Sequence, residues 1–418
     1  MKLKIKLIIM NFLQYFIWGA WLISLGSYLG GALGFSGVQI GSFYAIMGIT
    51  SLFMPAVMGI IADRWIPAEK LLGISHLLGG FFIFMASTTT DYNLLYAYIF
   101  LGVGFYMPTI ALSNSVAYNA LEKYGYDTIK DFPPIRVFGT IGFIAAMWTV
   151  DLTGFKQSEV QFYVSAIASL ILGVYSFTLP HCPVSKSNEK RSFVEALGLK
   201  AFTLFKDKKM AIFFIFSMLL GAALQITNGF GDLYINSYAN DPAYADTFGV
   251  KHSVILISLS QISETLCILL IPFVLKRFGI KKVMLMSMFA WVLRFGLFGT
   301  GDPGPGIWML ILSMIVYGLA FDFFNISGAL FVNQETDTSI RSSAQGLFMI
   351  MTNGFGATIG SLAAGAVVSR VVPDPANSPV GWDRAWFIFA AYSLVVAIAF
   401  ALIFKYKHDP NAIQDVKH

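Results

Sequence analysis

The sequence predicts an all-α membrane protein of twelve transmembrane helices arranged as two six-helix bundles. Three observations carry that reading. The 418-residue chain is 56% apolar and only 12% charged, about half the charged share of an ordinary soluble domain. Apolar runs of about 20 residues, long enough to cross a bilayer as helices, recur from end to end. A short charged turn then appears twice, about half a chain apart: Gly59-Ile60-Ile61-Ala62-Asp63-Arg64 and Leu275-Lys276-Arg277-Phe278-Gly279-Ile280-Lys281-Lys282. Such an echo fits two related halves.

The helices are expected near 8–30, 38–62, 70–88, 94–118, 134–154, 159–180, 210–236, 253–275, 281–299, 307–332, 342–368 and 384–405. A polar stretch, 181–209, separates an N-terminal bundle, 1–180, from a C-terminal bundle with a short tail, 210–418. The basic start Met1-Lys2-Leu3-Lys4-Ile5-Lys6 enters an apolar run too long for a cleaved signal peptide, so it reads as the first span. The side holding both termini and the 181–209 stretch carries 22 of the 28 lysines and arginines, which places both termini in the cytoplasm. The net charge of +5 belongs to those loops and implies no nucleic-acid partner. Cys182 and Cys267 lie in a loop and a helix and suggest no disulfide framework.

Helix 5 is announced by Asp131-Phe132-Pro133-Pro134-Ile135-Arg136. Pro134 suits a first helical turn, where its missing N–H costs nothing. Arg136, Thr140 and Phe143 then share one face. A charge at membrane depth costs about 2.5–3.5 kcal/mol, so Arg136 is a functional candidate, with a structural ion pair as the plainer alternative. Gln225 and Asn228 on helix 7, and Gln261 and Glu264 on helix 8, are each spaced i, i+3 and present donors and acceptors on one face. Interhelical hydrogen bonding is their alternative role. On helix 10, Tyr317 and Phe321 stand at i, i+4, apt for stacking on a flat ring, and Asp322 adds a carboxylate able to take and release a proton. The four intramembrane charges, Arg136, Arg294, Glu264 and Asp322, would cost on the order of 10 kcal/mol facing lipid, so they are expected to face water or one another. Arg294 reads as a structural pair and His76 as a packed histidine. Asn353 stands where nothing in the sequence decides its role. No residue cluster has metal-ligand spacing, and no nucleotide-binding loop follows a strand.

The Gly-x-x-x-Asp-Arg turn resembles the signature loop of the major facilitator superfamily, its second copy lacking the aspartate. Longer strings are more specific: Phe12-Leu13-Gln14-Tyr15-Phe16-Ile17-Trp18-Gly19, Asp131 to Phe143, Met210 to Phe214, Leu224 to Asn228, Gln261 to Glu264 and Met314 to Gly328. Through them the chain resembles, nearly end to end, the bacterial nucleoside:proton symporters of that superfamily. The resemblance implies the fold of that superfamily, a bacterial inner-membrane location and nucleoside import by alternating access of the two bundles. It implies that Arg136, Thr140, Phe143, Gln225, Asn228, Gln261, Glu264, Tyr317 and Phe321 contact the nucleoside. Asp322, with Glu264, would couple the proton.

A sugar:proton symporter is the alternative, because sugars also stack and also use buried charges. A nucleoside receptor is disfavoured by the lack of a signalling domain, and a membrane enzyme by the lack of a nucleophile–base pair. The expected partners are nucleoside, proton and membrane lipid, for a monomer without a cofactor.

Overall fold

The computed structural model of the chain describes residues 2–184, 199–337 and 340–407, and among these the regular structure is entirely helical. The long helices are α1 (Lys2–Gly19), α2 (Gly37–Arg64), α3 (Ala68–Ala86), α4 (Tyr92–Lys123), α5 (Thr128–Leu152), α6 (Val160–Ser176), α7 (Lys208–Asn236), α8 (Ser253–Phe278), α9 (Ile280–Thr300), α10 (Ile307–Glu335), α11 (Arg341–Val371) and α12 (Trp382–Ile403). Ten helices among the described residues are long and apolar enough to span a membrane. The other two are α1, whose 18 residues include Lys2, Lys4 and Lys6, and α6, which has 17 residues. Part of the polar stretch 181–209 lies outside the described residues.

Three helices differ from their sequence-based expectation. α1 starts at Lys2 rather than near residue 8 and stops at Gly19. Beyond it come turns, three helical residues (Leu25–Ser27) and a π-helical turn (Tyr28–Ala32). Gly26, Gly30, Gly31 and Gly34 crowd this segment, and each weakens a continuous α-helix by about 1 kcal/mol. α5 starts at Thr128, so Pro133 and Pro134 lie inside the helix instead of opening it. The start is set by caps. Lys130 N–H donates to Asp127 Oδ1 at 3.3 Å, and Asp127 N–H donates to Asp131 Oδ2 at 3.1 Å. With both ends of the first turn satisfied, the prolines remove only early backbone bonds. α11 is interrupted by a π-helical turn, Ile350–Gly356, that the apolar periodicity does not reveal.

The chain divides into two compact units. The first takes in Met1–Tyr28 and Ile49–Leu197, the second Leu29–Gly48 and Gly198–His418. The opening half of α2 therefore belongs to the second unit. There Val38 N–H donates to Ser369 Oγ of α11 at 2.9 Å.

In the first unit α1 lies on α5 with the two backbones nearly touching. A Cβ added at Gly142 would stand 2.1 Å from the Phe12 carbonyl oxygen, and one at Gly19 2.4 Å from that of Phe143. Lys4 closes the same pair of helices with a 2.6 Å ion pair to Asp131. Around this seam the core is apolar (Leu7, Met10, Ile17, Leu72, Leu121 and Leu172, all buried). His76 of α3 is buried within it: its Nε2 lies 2.8 Å from Gln14 Oε1, and Gln14 Nε2 donates to Thr109 Oγ1 at 2.7 Å. Tyr106 O–H donates to the Gln14 carbonyl at 2.7 Å, and its ring stacks on Trp18 at 4.6 Å. Three helices, α1, α3 and α4, are thus tied by one polar thread in which buried donors and acceptors find partners.

In the second unit α7 approaches α11 as closely. A Cβ at Gly360 would fall 2.2 Å from the Ala222 carbonyl oxygen. Aromatic rings fill one end, with Phe298 stacked on Trp386 at 4.5 Å and Tyr234 O–H donating to the Gly301 carbonyl at 2.6 Å. α8 ends at Gly279, whose φ of 78° suits glycine and whose N–H donates to the Leu275 carbonyl at 2.8 Å. Lys276 and Arg277 occupy its last turn, where cations meet the negative end of the helix.

Candidate functional site

In the first unit the candidates stand on α5. The Arg136 guanidinium sits over the Tyr15 ring of α1, its carbon 4.0 Å from the ring centre. Gly139 makes the slot: a Cβ there would stand 2.6 Å from Tyr15 Cδ2 and 2.7 Å from Arg136 Nη1. The glycine seam that lets α1 touch α5 therefore also sets the cation on its aromatic platform. Arg136 and Thr140 are half-buried, and Phe143 is buried in the seam at 8% exposure. Helical spacing groups the three on one face, but packing draws Phe143 inward.

The second unit holds the remaining candidates. On α7, Asn228 Nδ2 donates to Gln225 Oε1 at 3.2 Å, so the i, i+3 pair is joined and still has amide groups to spare. Gln261 and Glu264 of α8 are half-buried. On α10 the Tyr317 and Phe321 rings stack nearly parallel, 5.7 Å apart at 4°. Asp322 is 5% exposed, and its Oδ2 has no hydrogen-bond partner among the described residues. Its carboxyl lies within electrostatic reach of Glu264.

Arg294 of α9 is 2% exposed. The expected structural pairing is made with neutral groups. Its Nη1 donates to the Ser313 carbonyl at 2.6 Å and its Nη2 to Thr227 Oγ1 at 3.3 Å, and the guanidinium carbon sits 4.6 Å from the centre of the Tyr317 ring. It thereby buttresses one wall of the Tyr317–Phe321 stack. Sequence reasoning missed Tyr15 and Gly139, although both sit in strings it had marked. It also missed Asn325 and Trp291, which line a cleft beside Phe321. Only the pairing of distant helices reveals the first two, and no residue pattern encodes that pairing.

Long apolar helices mark a multi-pass membrane protein, and comparison with known proteins gives the class. A family model described as nucleoside H+ symporter matches residues 1–409. The chain is 51% identical over 421 residues to the nucleoside permease NupG of Escherichia coli (strain K12), covering 100% of both chains. It is 51% identical over 415 residues to the xanthosine permease of the same organism, covering 99% of each. A crystal structure of the nucleoside transporter NupG superposes with a TM-score of 0.91 at 51% identity, covering 97% of this chain and 100% of that one. This chain belongs to the nucleoside H+ symporter family. That assignment favours the nucleoside reading over the sugar carrier.

Proposed function

We propose that this protein imports nucleosides into a bacterium together with protons, by alternating access within a twelve-helix major-facilitator fold, with α1 and α6 added to the ten clear spans. The functional halves are 1–180 and 210–418, joined by 181–209, both termini are cytoplasmic, and the carrier is a monomer in the inner membrane. Arg136, Thr140, Phe143, Gln225, Asn228, Gln261 and Glu264 hold the nucleoside, and Tyr317 and Phe321 stack on it. Asp322 carries the proton, in charge communication with Glu264.

The observation that carries this reading is the environment of Asp322. A buried carboxylate oxygen with no donor is a poor structural anchor, because unmade hydrogen bonds are costly in the interior. It is a suitable place for a proton that comes and goes. The membrane potential adds about 2.3 kcal/mol per 100 mV for each charge moved, enough for roughly fiftyfold accumulation. Asp322→Asn tests the assignment. In proteoliposomes the variant is expected to exchange internal for external uridine but to accumulate none against a gradient. Accumulation at the wild-type level would remove Asp322 from the proton path.

A further inference from the structure

Beside the Tyr317–Phe321 stack, α7, α9, α10 and α11 of the second unit border a cleft that the contacts above leave unexplained. Its walls include Trp291, Phe321 and Phe324, and two carboxamides stand at it, Asn325 and Asn353. Asn325 follows Phe321 by four residues and so continues the face of Tyr317 and Phe321 by one turn. It is half-buried, and its side chain makes no hydrogen bond among the described residues. Asn353 is also half-buried and makes only a 3.9 Å contact from Nδ2 to the Met349 sulfur.

Asn353 stands in the π-helical turn Ile350–Gly356. Single π turns within α-helices are frequent at functional sites. This one is held by backbone contact, since a Cβ at Gly221 of α7 would stand 2.2 Å from the Thr352 carbonyl oxygen. The neighbouring Thr352 hydroxyl already donates to the Phe348 carbonyl at 3.0 Å. The two amides thus have donors left to give.

A carboxamide sets one acceptor and one donor side by side, and such an edge pairs two bonds at a time with a matching edge. A ribose has hydroxyls but no such edge. A nucleobase has both the edge and a flat face for aromatic walls. We infer that this cleft is a base-reading subsite, in which Asn325 and Asn353 bond the edge of the nucleobase while Phe321 covers its face. The inference rests on the nucleoside reading above and deepens it. An amide turned over exchanges its donor and acceptor, so the pair accepts the imide edge of uracil and the amino edge of adenine alike. Blocking the edge itself should be penalised.

The test uses the full-length protein in proteoliposomes, with unlabelled uridine, 3-methyluridine and 2′-deoxyuridine competing against labelled uridine. In the wild type 3-methyluridine is expected to compete about tenfold more weakly than uridine, the size of one lost bidentate pair. Asn325→Ala and Asn353→Ala should weaken uridine toward the level of 3-methyluridine and bring that ratio near one. The ratio of uridine to 2′-deoxyuridine should stay at its wild-type value. Each ratio is taken within one protein, so a lower folded yield cancels. Equal competition by uridine and 3-methyluridine in the wild type overturns the inference without recourse to variants. An unchanged ratio in both variants overturns it as well. If uridine fails to compete in the wild type, the nucleoside reading falls and the subsite with it.

Discussion

Replacing Gly139 with alanine tests how Arg136 is held. The new Cβ would stand 2.6 Å from Tyr15 Cδ2 and 2.7 Å from Arg136 Nη1, whereas unbonded carbon atoms settle at about 3.5–4.0 Å. Ring and guanidinium, now 4.0 Å apart, must therefore part by about 1 Å or rotate away. A cation–π contact contributes about 0.5–1 kcal/mol when exposed and about 2 kcal/mol when desolvated. For a half-buried Arg136 an intermediate loss of about 1–1.4 kcal/mol corresponds to roughly five- to tenfold in affinity. The assay is the KM for uridine uptake in proteoliposomes, normalised to folded protein by size-exclusion chromatography. KM should rise roughly five- to tenfold while the maximal rate per folded carrier changes by less than about twofold, as expected when ground-state and transition-state binding weaken together. Gly142→Ala supplies the contrast. Its Cβ would stand 2.1 Å from a backbone carbonyl oxygen, that of Phe12, which no side-chain rotation relieves, so folded yield and Tm should fall. A folded Gly139→Ala protein with wild-type KM would refute the slot, and a loss of Tm without a change in KM would reduce Gly139 to packing.

Two further predictions concern groups away from the transport site. His76→Ala leaves Gln14 Oε1 buried without the partner now 2.8 Å away, at a cost of about 1–3 kcal/mol. Tm should drop by a few degrees with the KM for uridine within about twofold of wild type, and an unchanged Tm would contradict the polar-thread account. In the loop after α6, the Cys182 thiol is pushed up to about 11 by burial and by the Glu69 carboxylate, whose Oε2 also accepts the Cys182 N–H at 3.0 Å. A raised thiol value means less thiolate at any given pH, so alkylation by iodoacetamide at pH 8 in a Cys267→Ala background should be far slower than that of a free thiol. Glu69→Ala should speed it, and equal rates would contradict the anchor.

Much of the helical architecture was legible because apolar runs of membrane length have few alternative structures. Helix ends were less so. Pro134 suggested a start that the Asp127 and Asp131 caps place at Thr128, and α1 stops at Gly19 where hydropathy alone continues it. Charges and amides at membrane depth could be singled out by cost, which is why Arg136, Glu264 and Asp322 stand as candidates from sequence alone. Tyr15 and Gly139 could not, because an aromatic ring and a glycine are ordinary in such helices until a particular helix pairing sets them against Arg136. Asn353 was noticed but undecided, since a π turn changes which way a residue faces without changing the apolar pattern. Arg294 carried the same charge signal as Arg136, yet its partners are a carbonyl, a hydroxyl and aromatic rings, none of which announces itself as the mate of a cation.

The most direct measurement is uptake of radiolabelled uridine into proteoliposomes of the purified protein, with and without an inward proton gradient. The account predicts accumulation above the external concentration only with the gradient, its collapse by a protonophore, and competition by adenosine but not by lactose. No uridine uptake by folded protein in either condition, or equilibration indifferent to the gradient, would contradict proton-coupled nucleoside import.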